Sequence, residues 1–262
     1  MDSKEIFYIV GIFGFKLVNR PTNISMLGCV IMIIPVREPK ESQKDYAMRI
    51  IRENIIKWEL MPGTQLSVNQ LAEALGLPRI PVHEALKELA KVKIVEIYPQ
   101  RGTRIAPIDY DLIDEAVFAR QTFESAIVEL ACKIAGEQDY VWFENHLDLQ
   151  NYYWNNANHE MLITMDHEYH RHYYEICKKL QCYEMICSMS IHFDRVRHIS
   201  MMMQTDKKLV EDHRKIFEAV KAKKPEQAKT LVHNHLVRYQ VERDEIERVY
   251  SDLIRQRSDG NI

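Results

Sequence analysis

Hydrophobic positions recur at helical spacings of three and four residues over most of the 262-residue chain. The first clear stretch, residues 45–58, predicts an amphipathic helix. Pro62 and Gly63 then force a turn, and residues 65–66 form a short extended piece. The first predicted elements are therefore a helix, a turn and a short extended segment.

Two short helices are predicted next, and together they form a helix-turn-helix. Ser67 and Gln70 match a capping box that opens the first helix, and Gly76 ends it. The second helix covers residues 79–92, with Pro81 in its first turn. Its inward face should consist of Val82, Ala85, Leu86 and Leu89. A Gly-containing turn between two short helices is typical of this motif.

A β-hairpin follows the second helix. Residues 95–98 and 103–106 are strand-like, and the turn between them carries Arg101, with Arg104 close behind it. A hairpin attached to a helix-turn-helix forms a wing, so residues 36–107 are predicted to be a winged-helix domain.

Everything after Pro107 has a helical pattern. Six helices are predicted, over residues 111–135, 139–155, 162–180, 183–202, 209–221 and 225–254. The predicted fold class is mainly α, with an N-terminal winged helix-turn-helix and a C-terminal all-α helical bundle. The predicted domains are an uncertain extension at 1–35, the winged helix at 36–107, the helical domain at 108–255 and a tail at 256–262.

The first 35 residues contain two apolar runs, 6–15 and 24–36. Neither run reaches the roughly 18–20 residues that a membrane-spanning helix needs. Three interpretations stay open: an upstream start assigned in error, with Met26 or Met32 as the true start; a short pairing or docking extension; or a weak membrane anchor. No function is assigned to this segment.

Composition excludes several classes of protein and separates the two domains. With 46% hydrophobic and 28% charged residues, the chain is neither disordered nor collagen-like. Residues 36–107 contain 12 Lys/Arg and 9 Asp/Glu, whereas residues 108–262 contain 20 and 27. A basic domain followed by an acidic one indicates separate tasks. The five cysteines include no CxxC pair, so we expect a reducing, cytoplasmic location without disulfides.

Histidines supply the candidate chemistry, because ten of the eleven lie beyond residue 108. Asp166 and His170 are four residues apart and share one helix face, so they can bind one ion together. His213 and His235 lie on two later helices, and spacing alone does not show that the helices converge. Imidazole and carboxylate ligands suit Zn²⁺, Ni²⁺ or Mn²⁺. His192 and His233 are reserve ligands.

The N-terminal pattern resembles the GntR family of bacterial transcription regulators. The residues that carry the resemblance are Leu60-x-Pro62-Gly63-x-x-Leu66, Leu71-Ala72-x-x-Leu75-Gly76-Leu77, Arg79-x-Pro81-Val82-x-Glu84-Ala85-Leu86 and Arg101-Gly102. In this family the second helix enters the major groove of double-stranded DNA and the wing contacts the minor groove or the backbone. The resemblance implies DNA contacts by Arg79, Ile80, His83, Arg101, Gly102, Thr103 and Arg104.

The chain departs from the family pattern in the recognition helix. Pro78, Ile80 and His83 stand where the family usually has Ser, Thr and Arg. Because His83 replaces a base-reading arginine, the family's usual operator sequence does not carry over. Ile80 can still make an apolar contact with a thymine methyl group.

The C-terminal pattern resembles the FCD effector domain of the FadR subgroup. Asp166-x-x-Tyr169-His170, Asp212-His213-Arg214-x-Ile216, Ala228 and His235-Leu236 carry this resemblance. It implies a divalent metal held by Asp166, His170, His213 and His235. Arg120 and Glu124 match a charged pair on the domain's first helix. Arg120 would hold a carboxylate effector, or it would form a surface ion pair with Glu124.

These patterns predict a DNA-binding transcriptional regulator. Its helical domain would bind a metal and a small organic acid, and a homodimer would read a palindromic operator. Two alternatives are a regulator for which the metal itself is the signal and, less favoured, a metal-dependent hydrolase. We expect no catalytic residues and no membrane partner.

Overall fold

A computed structural model describes residues 22–27, 30–202 and 208–255. Its first two strands, β1 (Thr22–Leu27) and β2 (Val30–Pro35), pair antiparallel. Met32 and Ile34 of β2 are buried in the core of the following domain. The side chain of Asn54 joins this strand to the domain, since it bonds both the N–H and the C=O of Ile33, each at 2.8 Å.

The predicted winged helix is present. Its elements are α1 (Gln43–Ile56), β3 (Gln65–Leu66), α2 (Val68–Leu75), α3 (Arg79–Lys91), β4 (Val95–Tyr98) and β5 (Gly102–Ile105). The three strands form an antiparallel sheet in the order β3-β5-β4. The predicted inward face of α3 is buried. The predicted capping box is wrong: Ser67 precedes α2, but its side chain makes no capping hydrogen bond.

The helical domain contains eight α-helices among the described residues. They are α4 (Tyr110–Ile134), α5 (Glu137–Asn155), α6 (His159–Ile176), α7 (Leu180–Met189), α8 (Ile191–Met202), α9 (Leu209–Lys221), α10 (Pro225–Val237) and α11 (Tyr239–Tyr250). A 3₁₀ turn, Ser251–Leu253, follows. The predicted bundle is therefore confirmed, with two more helices than expected.

Three predicted helices are divided or shortened. The helix expected over 162–180 ends at Ile176, because Lys178 adopts a left-handed backbone (φ 54°) that a helix cannot contain. The stretch 183–202 is split between α7 and α8 at Ser190. The stretch 225–254 is split between α10, α11 and the 3₁₀ turn. Local hydrophobic spacing continues through these breaks and does not reveal them.

The connection between the domains is held by the end of the helical domain. Ile108 donates its N–H to Leu253 (2.9 Å) and accepts from the N–H of Arg255 (2.7 Å), which forms a parallel bridge with Ile254. A separate hydrophobic cluster spans the junction. It contains Trp58, Ile108, Tyr110, Ile113, Val117, Phe193, Val196, Ile199 and Ile246. Among the described residues, no helix combines the length and apolar character needed to cross a bilayer.

Two histidines of α8 make folding sensitive to acid. Burial lowers the pKa of His192 to about 3 and that of His198 to about 4, from an ordinary value of 6.5. The unfolded chain therefore binds more protons than the folded chain between pH 6.5 and pH 4. We expect the free energy of unfolding to fall as the pH is lowered through this window, by on the order of 2 kcal/mol per imidazole at pH 5.

Urea unfolding at pH 7 and pH 5 measures this dependence. His198→Gln should reduce the difference between the two pH values, whereas His233→Gln should leave it unchanged, because His233 is exposed. An unchanged difference in His198→Gln would contradict the assignment.

Candidate metal centre and DNA-binding surface

Three helices bring the four predicted ligands together. Asp166 and His170 come from α6, His213 from α9 and His235 from α10. One ligand atom from each lies within 4.8 Å of all the others. All four side chains are buried. The convergence that spacing alone did not show is therefore a feature of the fold, since α6, α9 and α10 present these residues to one point.

His170 is oriented by a buried ion pair on α4. Nδ1 of His170 lies 2.8 Å from Oε2 of Glu124, and Nε of Arg120 donates to Oε1 of Glu124 at 2.7 Å. Burial alone would raise the pKa of Glu124, but Arg120 and His170 outweigh it and hold this pKa well below its usual range. The bond fixes the imidazole so that Nε2 faces Asp166, at 3.8 Å from Oδ1.

His213 is oriented by two residues that belong to α5 and α6. Its Nδ1 lies 2.8 Å from Oε1 of Gln150, which is fully buried. The ring stacks on Tyr169 with 4.0 Å between centroids, and the Tyr169 hydroxyl donates to the His213 carbonyl at 2.7 Å. These contacts leave Nε2 of His213 directed at Asp166, 3.3 Å from Oδ1.

Asp166 is held by an arginine of α8. A guanidinium nitrogen of Arg197 donates to Oδ1 of Asp166. Burial would raise the pKa of this carboxyl, but Arg197 and the adjacent imidazoles hold it well below its usual range. Asp166 is therefore ionised, which is the form that binds metal.

The imidazoles are also in the metal-binding form. Burial lowers the pKa of His213 and His235 to about 4, and it lowers that of His170 as well. Nε2 of His170, Nε2 of His213 and Nδ1 of His235 are buried without a hydrogen-bond partner. Buried polar atoms without partners are costly, and a cation would satisfy nitrogens placed in this way. The residues present therefore fit a divalent transition metal.

Arg120 lies in the interior, so the prediction of a surface ion pair with Glu124 is wrong. It is only 6% exposed, and its guanidinium carbon lies 5.2 Å from the ring centroid of Phe193. Its partner is Glu124, as predicted, but the pair is buried beside His170. The reserve ligands are elsewhere: His192 contacts the Lys93 carbonyl, and His233 is exposed.

Sequence reasoning missed Gln150 and Arg197. Gln150 stands on the apolar stripe of α5 that also carries Phe143 and Leu147, so a polar residue on a buried face was an available signal. Arg197 offered no such signal, because nearly every residue of α8 is buried and the helix has no polar face.

The recognition helix exposes the predicted base-reading residues. Arg79 begins α3, and Arg79, Ile80 and His83 are all exposed. Ile80 is 73% exposed, which is unusual for a large apolar side chain and leaves it available for contact. Glu84 and Lys87 are exposed on the same helix and were not predicted as contacts.

The wing offers fewer side chains than expected. Arg101 and Gly102 are exposed, and Gly102 uses a positive φ of 96° at the turn. Thr103 is 5% exposed, because alternate residues of a strand face opposite sides and this one faces the core. The Thr103 backbone lies in the middle strand of the sheet, paired with Leu66 of β3 and Ile97 of β4, and is therefore occupied within the wing. Arg104 is half-buried and ion-paired with Glu96 at 2.7 Å.

Comparison with known proteins agrees with both halves of this structure. Residues 44–105 match the family described as bacterial regulatory proteins, gntR family, and residues 115–238 match the FCD domain. Together the two matches cover more than two thirds of the chain. The chain belongs to the GntR family of transcriptional regulators. Within that family it is of the type that carries an FCD domain.

Relatives of this GntR chain are regulators rather than enzymes. It is 25% identical over 199 residues to the transcriptional repressor RspR of Escherichia coli K12, covering 76% of this chain and 87% of RspR. It is 26% identical over 217 residues to a regulator in an unstable DNA locus of Streptomyces ambofaciens, covering 80% and 87%. The chain is a DNA-binding transcriptional regulator.

Solved GntR structures share the fold. McbR/YncC of E. coli superimposes with a TM-score of 0.66 at 20% identity, covering 80% of this chain and 99% of that one. A GntR regulator from Rhodococcus sp. RHA1 gives a TM-score of 0.64 at 21% identity, covering 79% and 99%.

Gln150 tests the orientation of His213 in this GntR chain. Gln150→Leu removes the acceptor for Nδ1–H, so the imidazole loses its fixed direction. We expect Zn²⁺ affinity to fall about 10- to 100-fold, measured by competition with a chromophoric chelator. Gln181→Leu, at an exposed position of α7, is the control. Equal affinities of both variants would show that Gln150 does not support the site.

Proposed function

We propose that the helical domain of this regulator binds one divalent transition metal, Zn²⁺, Ni²⁺ or Mn²⁺, through Asp166, His170, His213 and His235. A small carboxylate effector binds beside it, within reach of Arg120. Occupancy changes the affinity of a homodimer for a palindromic operator. DNA is contacted by Arg79, Ile80 and His83 of α3 and by Arg101, Gly102 and Arg104 of the wing.

The observation that carries the proposal is the convergence of four buried ligand atoms within 4.8 Å of one another. Three neutral imidazoles and one carboxylate are ligands that borderline divalent cations prefer. In His170 and His213, the Nδ1 atom is bonded to Glu124 and Gln150, respectively, and Nε2 is left for the metal. A second hydrogen bond of this kind usually supports a histidine that binds metal.

The charges around the cluster favour an anionic effector. Asp166 is paired with Arg197, and Glu124 with Arg120, so the two carboxylates are already neutralised. A divalent cation would add positive charge to a buried site, and unbalanced buried charge is unfavourable. A carboxylate bound next to the cation would offset this charge. The guanidinium group of Arg120 suits that role, because it recognises carboxylates by paired hydrogen bonds.

The proposed binding by two copies agrees with the way helix-turn-helix proteins commonly read DNA. A dimer would place two recognition helices in successive major grooves, and two-fold symmetry of the protein requires two-fold symmetry of the operator. Since the relative RspR is named a repressor, we propose repression that the effector relieves. Ligand and operator must then alter each other's affinity reciprocally.

Elemental analysis by plasma mass spectrometry tests the metal site. Protein purified without chelators should contain about one transition-metal equivalent per chain. The double variant His213→Ala/His235→Ala should lose it, because half of the ligands are gone. His233→Ala keeps all four ligands and is the matched control. A metal-free wild type, or a double variant that retains the metal, would contradict the proposed site.

Selection from a random pool of DNA duplexes tests the operator, and Arg79→Ala tests the recognition helix. We expect enrichment of a palindrome. Loss of the Arg79 base contact should weaken binding by about 1–3 kcal/mol, or roughly 5- to 150-fold. Arg171→Ala removes an exposed arginine of α6 and should change little. Fluorescence anisotropy at several salt concentrations measures both. A selection without any enriched sequence would contradict this part of the proposal.

The effector is sought by adding small carboxylic acids to the metal-loaded protein on the selected duplex. An active acid should shift the affinity for DNA in the wild type and not in His213→Ala/His235→Ala. It should be recovered unchanged, since a regulator binds its ligand without turnover. An effect of metal alone, without any acid, would favour the ion as the signal.

A further inference from the structure

Helix α8 lies between the ligand cluster and the DNA-binding domain, and it contacts both through side chains only two residues apart. We propose that α8 is the element that transmits occupancy of the metal site to the winged helix, with Arg197 as the contact to the site and Arg195 as the contact to the interdomain connection. The inference rests on the proposed metal site and specifies how that site regulates DNA binding.

The first contact is the bond from Arg197 to Asp166. It uses Oδ1, the same oxygen that lies nearest to His170 and His213. A cation bound by these residues would compete with Arg197 for the charge of the Asp166 carboxylate. Binding would therefore weaken the attraction that holds α8 to α6.

The second contact is the bond from Arg195 to the chain between the domains. Its Nη2 donates to the Ala106 carbonyl at 2.9 Å, and Nη1 donates to the Pro107 carbonyl at 3.5 Å. Successive residues of a helix are rotated by about 100°, so residues 195 and 197 point about 200° apart, towards nearly opposite sides. α8 thus has one arginine on the ligand cluster and one on the connection.

Breaking the bonds from Arg195 to the interdomain connection would be unfavourable. The side chain is 0% exposed and pairs with no carboxylate among the described residues. The carbonyls of Ala106 and Pro107 therefore provide its hydrogen bonds. A shift of α8 away from them would leave a buried charge without partners, which is strongly unfavourable. A movement of α8 would therefore move the interdomain connection at Ala106 and Pro107 with it.

Further contacts tie the same helix to the winged-helix domain. Nε1 of Trp58 donates to the Arg195 carbonyl at 2.9 Å, and His192 lies 3.2 Å from the Lys93 carbonyl. Ile191 is part of the hydrophobic core of the winged helix. The beginning of α8 is therefore packed into one domain, while Arg197 reaches the ligands of the other.

Trp58 provides a local reporter of this junction. A background of Trp142→Phe/Trp154→Phe leaves Trp58 as the single tryptophan of the three in the chain. Zn²⁺ is titrated into chelator-stripped protein, with Zn²⁺ uptake measured separately by calorimetry. We expect a saturable change in Trp58 emission that ends at one equivalent per chain.

Arg195→Gln should abolish the Trp58 response while Zn²⁺ uptake stays at one equivalent, because the ligands are untouched. The matched control is Arg214→Gln, which neighbours His213 but pairs with Asp148 on the surface. It should retain both uptake and response. A response that persists in Arg195→Gln would overturn the role of this arginine.

Hydrogen exchange of the wild-type protein provides a second test, which does not require any variant to fold. The amides of Ala106 and Ile108 bond to Ile94 and Leu253, and their exchange should change when Zn²⁺ binds. Uptake of Zn²⁺ with unchanged exchange and unchanged Trp58 emission would overturn the coupling and leave the metal site intact. A protein that takes up no Zn²⁺ would contradict the proposed function as well.

Discussion

The burial of α8 on all sides is the constraint on which the rest of the structure depends. The helix packs against α1 of the winged helix and against α4, α6, α7 and α11 of the helical domain. A helix in such a position is usually apolar all around, yet α8 carries His192, Asp194, Arg195 and Arg197. Each of these polar groups must find a partner in the interior. The partners of His192, Arg195 and Arg197 come from different elements, so these bonds also fix how the two domains are joined.

The ligand cluster follows the same rule of compensated charge. Two buried carboxylates are each matched by an arginine, one from α4 and one from α8. The three imidazoles are kept neutral by burial. The arginines of the protein itself therefore balance the two buried carboxylates of the site. Any charge added to this site would have to be matched by another charged group or by a change in the pairing.

The sequence allowed the winged helix to be predicted almost completely, because its elements are defined by local signals. Gly76 ends one helix, and the turn at Gly102 separates two strands. The ligand types of the second domain could also be predicted, since Asp166 and His170 share a helix face. Their meeting with His213 and His235 could not, because it depends on how three helices pack. The break at Lys178 was missed for a related reason: a left-handed residue leaves the hydrophobic spacing around it unchanged.

The polar residues that support the site show the same limit. Gln150 could have been recognised as a polar residue on an apolar stripe, but its partner could not. The position of Arg120 was open between two interpretations, and only packing against Phe193 placed the side chain inside the protein. Interactions between residues far apart in the chain require the fold before they can be assigned.

The bridge between Ile108 and Ile254 means that the helical domain begins and ends at one point, beside the wing. Domains whose two ends meet in this way can be exchanged between proteins as closed units. Here the meeting point is also attached to the wing, since Arg255 bonds Glu96, which in turn holds Arg104. A helical domain transplanted onto a new DNA-binding domain would therefore keep this attachment only under two conditions. Its last residues would have to be transferred with it, and the new wing would have to offer a matching acidic residue.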